Sequence, residues 1–229
     1  MTLLEGPPPA GDALWNRQDF RAVAGDALRP GGLALTAAGV ALCRESGLGF
    51  PCRVLDMGCG AGATLEWFEK QGCTAWGLDV APKCDGNAHG TIRADAAAMP
   101  LKDALFDLVV CECVLSLFSD VGTVLEGAVR VLEAGGMLLC SDMYLRGPSS
   151  PCRADGVSCV AGARSRDEWE ALFAGAGLRT LHFRDHSREL ALLAARLVWY
   201  GISPCGETPC DASGGRRPVG YGLWVARRS

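Results

Sequence analysis

Apolar residues along this chain fall into two alternating rhythms. Short strand-like runs occupy 54–57, 74–79, 91–94, 108–111, 137–143, 180–184 and 221–226, nearly continuous in apolar residues at 54–57, 108–111, 137–140 and 221–226. Runs of that length without polar alternation fit strands buried on both faces. Between them, apolar positions recur three and four apart, which predicts helices over 13–28, 33–47, 62–71, 121–133, 166–176 and 188–200. Glycine marks the expected stops at Gly72, Gly135-Gly136 and Gly177. Strands alternating with helices predict an α/β fold, with a parallel sheet covered on both faces in a doubly wound arrangement. Two long connections, 145–164 and 202–219, are rich in Gly, Pro, Ser and Cys. Connections of that length in a compact domain commonly carry function. The segment 82–89, between the second and third predicted strands, leaves room for about one helical turn.

The chain has 229 residues, 49% of them apolar, enough for a full-sized core. The expectation is an N-terminal helical cap, 1–48, on a single main unit, 49–229. The formal net charge of −4 disfavours a general nucleic-acid or anionic-membrane surface. Residues Met1 to Pro9 contain no basic start and no apolar stretch of signal length. No run approaches the ~20 apolar residues of a membrane span. A cytoplasmic protein with no nucleic-acid or membrane partner is therefore expected, and the sequence leaves its oligomeric state open. The twelve cysteines include no CxxC pair. They fit free thiols in a reducing compartment better than a zinc ribbon or a disulfide framework, so no metal centre is expected.

The strongest chemical signal is Val54-Leu55-Asp56-Met57-Gly58-Cys59-Gly60-Ala61-Gly62, an apolar strand running into a glycine turn that opens a helix. Glycine lets the chain turn sharply and lets a ligand approach the main chain. Amides at a helix start suit a carboxylate or phosphate. Gly58, Gly60 and Ala63 alone also satisfy a looser dinucleotide pattern, but three acids narrow the choice. Asp56 stands two residues before the first glycine, where nucleotide-cofactor oxidoreductases carry an apolar residue. Asp79 ends the next predicted strand, 23 residues on, where it could accept both ribose hydroxyls. Asp95, in Ala94-Asp95-Ala96, follows the third, placed to meet an adenine amino group.

This order of features resembles the class I S-adenosylmethionine-dependent methyltransferases, in particular the ubiquinone/menaquinone-biosynthesis type. The resemblance rests on DxGCGxG, a strand-end acid, AD, then Met99-Pro100-Leu101 and Phe106-Asp107. It covers residues 50–145, and the order of elements extends it to the C-terminus. It implies a mostly parallel, seven-stranded Rossmann-like sheet with an antiparallel C-terminal strand, and S-adenosylmethionine as cofactor. It also implies that Asp56, Gly58, Cys59 and Gly60 surround the methionyl part. Asp79 and Val80 would hold ribose and adenine, Asp95 and Ala96 would flank the adenine, and Cys111 and Glu112 would lie under the sulfonium.

A sulfonium already activates its methyl group, so such a protein has to align a nucleophile behind it and exclude water. Ligands of open α/β sheets sit past the carboxyl ends of the strands. Glu112, Asp142 and His186 fall at such ends and are the candidate catalytic residues; Cys113, Tyr144 and Asp185 stand beside them. Trp15, Arg29 and 30–36 form either a flap over the cofactor or ordinary helix packing. A second, local resemblance joins Ser141-Asp142-Met143-Tyr144 and the later Cys159-Val160-Ala161-Gly162-Ala163 to the arsenite methyltransferases. It implies that Cys159 binds a soft metalloid, for which thiolates are suitable ligands. Cys43 and Cys52 upstream, or either Cys205 or Cys210 downstream, are the alternatives for further thiols. Three functions stay open: methyl transfer to an organic small-molecule substrate, transfer to arsenite or another soft acceptor through Cys159, and a non-catalytic cofactor-binding sensor.

Overall fold

The computed structural model describes residues 17–25, 27–83, 90–146, 160–202 and 219–229. Trp15, Cys152, Cys159, Cys205 and Cys210 lie outside the described residues, as do most of 82–89 and of both long connections.

Eight strands form one sheet: β1 (Arg53–Met57), β2 (Thr74–Asp79), β3 (Gly90–Arg93), β4 (Phe106–Glu112), β5 (Leu132–Leu145), β6 (Arg164–Ser165), β7 (Leu178–Asp185) and β8 (Val219–Arg228). Seven lie in the order β3-β2-β1-β4-β5-β8-β7, and the two-residue β6 pairs with β5 off that path. The pairs among β1 to β5 are parallel, whereas β8 runs antiparallel to both β5 and β7. The described helices are α1 (Gln18–Ala24), α2 (Gly32–Glu45), α3 (Ala63–Lys70), α4 (Val121–Val131), α5 (Arg166–Gly175) and α6 (Ser187–Trp199). This is the doubly wound plan with a reversed last strand. The strand order switches direction between β1 and β4, where ligands of open α/β sheets bind.

The pleat decides which way each strand-end acid points, because successive side chains face opposite sides. Leu55, Met57, Val109, Cys111, Leu138 and Cys140 share one core with Val124 and Leu125 of α4 and Trp169 and Phe173 of α5. Val54, Leu108, Val110 and Leu139 share the other with Leu35, Val40 and Cys43 of α2 and Leu65 and Phe68 of α3. Asp56 continues the parity of Val54, and Glu112 that of Val110, so both face α2 and α3. Asp142 continues the parity of Cys140 and faces α4 and α5. The N-terminal helices divide their contacts: α2 shares the sheet's core, while Phe20 of α1 packs on Leu197 and Ile202 beside α6.

Two expected boundaries move. The helix expected over 13–28 stops at Ala24, because Gly25 and Leu28 both take positive φ, 75° and 51°. The helix expected over 121–133 stops at Val131, and Gly135-Gly136 lie inside β5 instead of ending a helix. Pairing jumps from Phe106↔Leu132 to Leu108↔Met137, with Gly135 at φ 75°. These glycines therefore mark a bulge, the other use of glycine at a strand irregularity. Among the described residues, no helix is long and apolar enough to cross a membrane.

Candidate functional site

β1 runs out at Met57 into a turn where Gly58, Gly60 and Gly62 have φ of 75°, 52° and 83°. At Gly58 a Cβ would also stand 2.4 Å from Val114 Cγ2, so both conformation and space require glycine. At Gly60 a Cβ would meet nothing within 4 Å, so the main chain there faces open space. The turn is tied to β2. Gly58 N and Cys59 N donate to Leu78 O at 2.7 and 3.3 Å. Gly60 N donates to Asp79 Oδ2 at 2.9 Å, and Ala81 N to Asp79 Oδ1 at 2.8 Å. Asp79 thus closes the carboxyl end of β2 onto the glycine turn, with acceptor capacity remaining on each oxygen.

Beneath this turn lies a cavity of about 70 Å³, lined by Leu28, Arg29, Asp56, Thr64 and Glu112 together with 58–61 and Ala63. Its floor is a caged ion pair. Arg29 Nη2 lies 2.6 Å from Glu112 Oε2, with side chains only 7% and 4% exposed. The same nitrogen donates to Thr36 Oγ1 at 2.6 Å and Thr64 Oγ1 at 3.0 Å. Those hydroxyls in turn donate to Glu112 Oε1 at 2.9 Å and Oε2 at 3.2 Å. Burial alone would lower the Arg29 pKa, but the adjacent Glu112 carboxylate outweighs it and holds the guanidinium charged. Asp56 is pushed up to about 7, by burial first and by Glu112 second, against the pull of Arg29.

Two features of this floor point to a ligand. Arg29 Nε is buried and meets no acceptor among the described residues, which is costly unless a ligand supplies one. Two carboxylates also share one guanidinium. The floor therefore suits a group that brings both a carboxylate and a positive charge.

The sequence candidates divide around this cavity. Asp56, Gly58, Cys59, Gly60 and Glu112 line it, and Asp79 borders it through Gly60. Val80 follows at the sheet end, 55% exposed. Asp95 caps a 3₁₀ turn at Ala96–Ala98, accepting from Ala97 N at 2.9 Å, and Ala96 is buried. Cys111 faces the opposite core, where burial holds its thiol pKa well above the ordinary value. His186 precedes α6, with Nδ1 3.8 Å from Glu189 Oε2. Asp142 is fully buried and engaged by Ser116 and Met143. None of Cys111, Asp142 and His186 lines the cavity. The thiol expected at Cys159 lies outside the described residues.

Thr64 and the hydrogen-bonding roles of Thr36 and Arg29 escaped the sequence reading, which named 29–36 only as a flap or helix packing. Thr64, the second residue of the helix that follows the glycine turn, was the available signal. Tyr221 escaped it too: its hydroxyl lies 3.1 Å from Cys113 Sγ and 2.9 Å from Ser141 Oγ.

Residues 55–140 match the family described as "Methyltransferase domain". An arsenite methyltransferase of Aquipseudomonas alcaligenes is 31% identical over 146 residues, 53% of this chain and 42% of that protein. A demethylmenaquinone methyltransferase of Tropheryma whipplei is 29% identical over 107 residues, 43% of this chain and 45% of that protein. The chain thus spans less than half the length of these two relatives. Burkholderia thailandensis 1,6-didemethyltoxoflavin-N1-methyltransferase, solved with 1,6-didemethyltoxoflavin and S-adenosylhomocysteine bound, is similar in fold. The TM-score is 0.59 at 17% identity, over 86% of this chain and 78% of that one.

Proposed function

We propose that this chain, whose residues 55–140 match a methyltransferase domain, is a class I S-adenosylmethionine-dependent methyltransferase that binds S-adenosylmethionine at the glycine turn and transfers its methyl group to a small molecule. The observation that carries the reading is the cavity under that turn, with its buried Arg29–Glu112 pair, Asp56 and the unmatched Arg29 Nε. That floor matches the zwitterionic methionyl end. Arg29 Nε would take the carboxylate, and Asp56 and Glu112 would face the ammonium and the sulfonium. Gly60 would let the ligand reach the main chain. Asp79 would accept from the ribose hydroxyls, and Val80, Asp95 and Ala96 would border the adenine. In this reading 1–48 acts as a cap, since Arg29 enters the cavity from the segment that precedes α2.

When bound, the cofactor supplies a methyl group already activated by positive sulfur. The protein's own task is to hold, orient and exclude water. Glu112 and Asp56 keep the floor negative. His186, at the carboxyl end of β7 and partly exposed, is the proposed group for orienting or deprotonating an acceptor. The proposed setting is cytoplasmic.

A second acceptor class, arsenite or another soft metalloid held through Cys159, is favoured by the likeness to the arsenite methyltransferase. Transfer of labelled methyl from S-adenosylmethionine to arsenite, thiols and quinols separates the readings. Labelled thiol or quinol ethers support the organic acceptor. Labelled methylarsenicals that disappear in Cys159→Ser, with cofactor affinity unchanged, support the metalloid. No labelled product from protein that binds the cofactor overturns the enzyme reading in favour of a sensor.

A further inference from the structure

Asp142 lies inside β5, three residues before its carboxyl end, and its pleat parity turns it away from the cavity. Three donors converge on its carboxylate. Oδ1 accepts from Ser116 Oγ at 2.6 Å and from Met143 N at 2.7 Å, and Oδ2 accepts from Ser116 N at 2.9 Å. Ser116 belongs to the turn that follows β4. This turn starts at Cys113, with φ 58° and its N donating to Ser141 O at 2.7 Å.

That one turn touches two things. Through Val114 it presses on Gly58, in the cofactor turn. Through Ser116 it seats the end of the long β5–α5 connection, since a Cβ on Gly162 would lie 1.8 Å from Ser116 O. The seated segment has its own ties. Ala163 N donates to Val160 O at 3.3 Å, and Arg164 Nη1 to Gly162 O at 2.9 Å. Arg164 pairs with Tyr144 of β5 and lies 5.1 Å from the Trp169 ring centre.

We propose that Asp142 is a positioning residue, whose carboxylate holds the turn at 113–118 so that the connection ending at 160–165 is docked and coupled to the cofactor turn. A carboxylate is required because it only accepts, and three donors converge on it. An amide of the same size turns a donor toward one of those donors and leaves a buried pair unmade. The connection leaves β5 at the carboxyl edge of the sheet, the side on which an acceptor approaches. Asp142 thereby ties residues 160–165 to the cofactor turn without touching either substrate. This consequence rests on the methyltransferase reading; the clamp itself does not.

Amide hydrogen exchange on the full chain, with and without S-adenosylhomocysteine, tests both parts. Without ligand, Asp142→Asn should speed exchange at 160–165 at least tenfold and leave β1 and β4 protected. Gly162→Ala should do the same with the Asp142 bonds intact, which keeps the test valid if Asp142→Asn fails to fold. Ser116→Ala should loosen the segment, and Ser116→Thr, which keeps the hydroxyl, should restore it. With ligand, the wild type should slow at both 58–62 and 160–165, whereas Asp142→Asn should slow at 58–62 alone. Unchanged protection at 160–165 in Asp142→Asn and Gly162→Ala overturns the clamp. Ligand protection reaching 160–165 in Asp142→Asn overturns the coupling. A wild type whose 58–62 amides ignore the ligand overturns the cofactor reading, while the ligand-free comparison still judges the clamp.

Discussion

At the scale of single residues, the account turns on three buried charges. Removing one partner of a buried pair leaves the other uncompensated, which typically costs about 3–5 kcal/mol. Arg29→Met should therefore lower the unfolding free energy by about that much in urea titrations, and should weaken cofactor binding as well. Asp56 behaves differently. Its folded pKa, about 7 against an ordinary 3.8, means that the native state holds this proton more tightly than the unfolded chain. The associated stability is present below pH ~4 and is lost as pH rises through about 7, by at most roughly 4 kcal/mol. Asp56→Asn should thus melt higher than the wild type at pH 8, the gap closing toward pH 4, while binding the cofactor more weakly. A gap between the two proteins that does not change from pH 4 to pH 8 would contradict the raised pKa of Asp56. The acids at 56, 79 and 112 were legible because they end strands beside the glycine turn. Asp142 ends up elsewhere because β5 continues past it to Leu145, and the pleat places it on the α4/α5 side.

At the scale of elements, the glycine turn and the strand after it carry the site. Gly58 and Gly60 share a positive φ but differ in surroundings: one abuts Val114 and the other faces open space. Gly60→Ala should cost about 1 kcal/mol of stability from backbone strain, and also obstruct the ligand. Gly58→Ala should cost clearly more, and Val114→Ala should recover part of that excess in the double variant. Equal costs for the two glycine variants in denaturant unfolding would contradict this packing. The strands were legible because parallel strands buried on both faces leave continuous apolar runs. Boundaries set by glycine were not, since glycine ends helices, forms bulges and breaks helices early. Gly135 lies in a bulge within β5, and Gly25 stops α1 short of Leu28.

At the scale of the whole molecule, the sheet order brings distant segments to one place. The switch between β1 and β4 sets Asp56 beside Glu112, and α2 and α3 close over them from the same face. The segment before α2 contributes Arg29 to the same charged floor. The alternation of strands and helices made this plan readable. The hydroxyls of Thr36 and Thr64 became meaningful only once α2 and α3 were seen side by side. The central claim is that this floor and the glycine turn bind an adenosyl sulfonium compound. Isothermal titration calorimetry of the full chain with S-adenosylmethionine and with a nicotinamide dinucleotide tests it most directly. The account predicts one S-adenosylmethionine bound per chain, weakened at least tenfold in Asp79→Asn, with no heat from the dinucleotide. A folded wild type that ignores millimolar S-adenosylmethionine and binds the dinucleotide would contradict it.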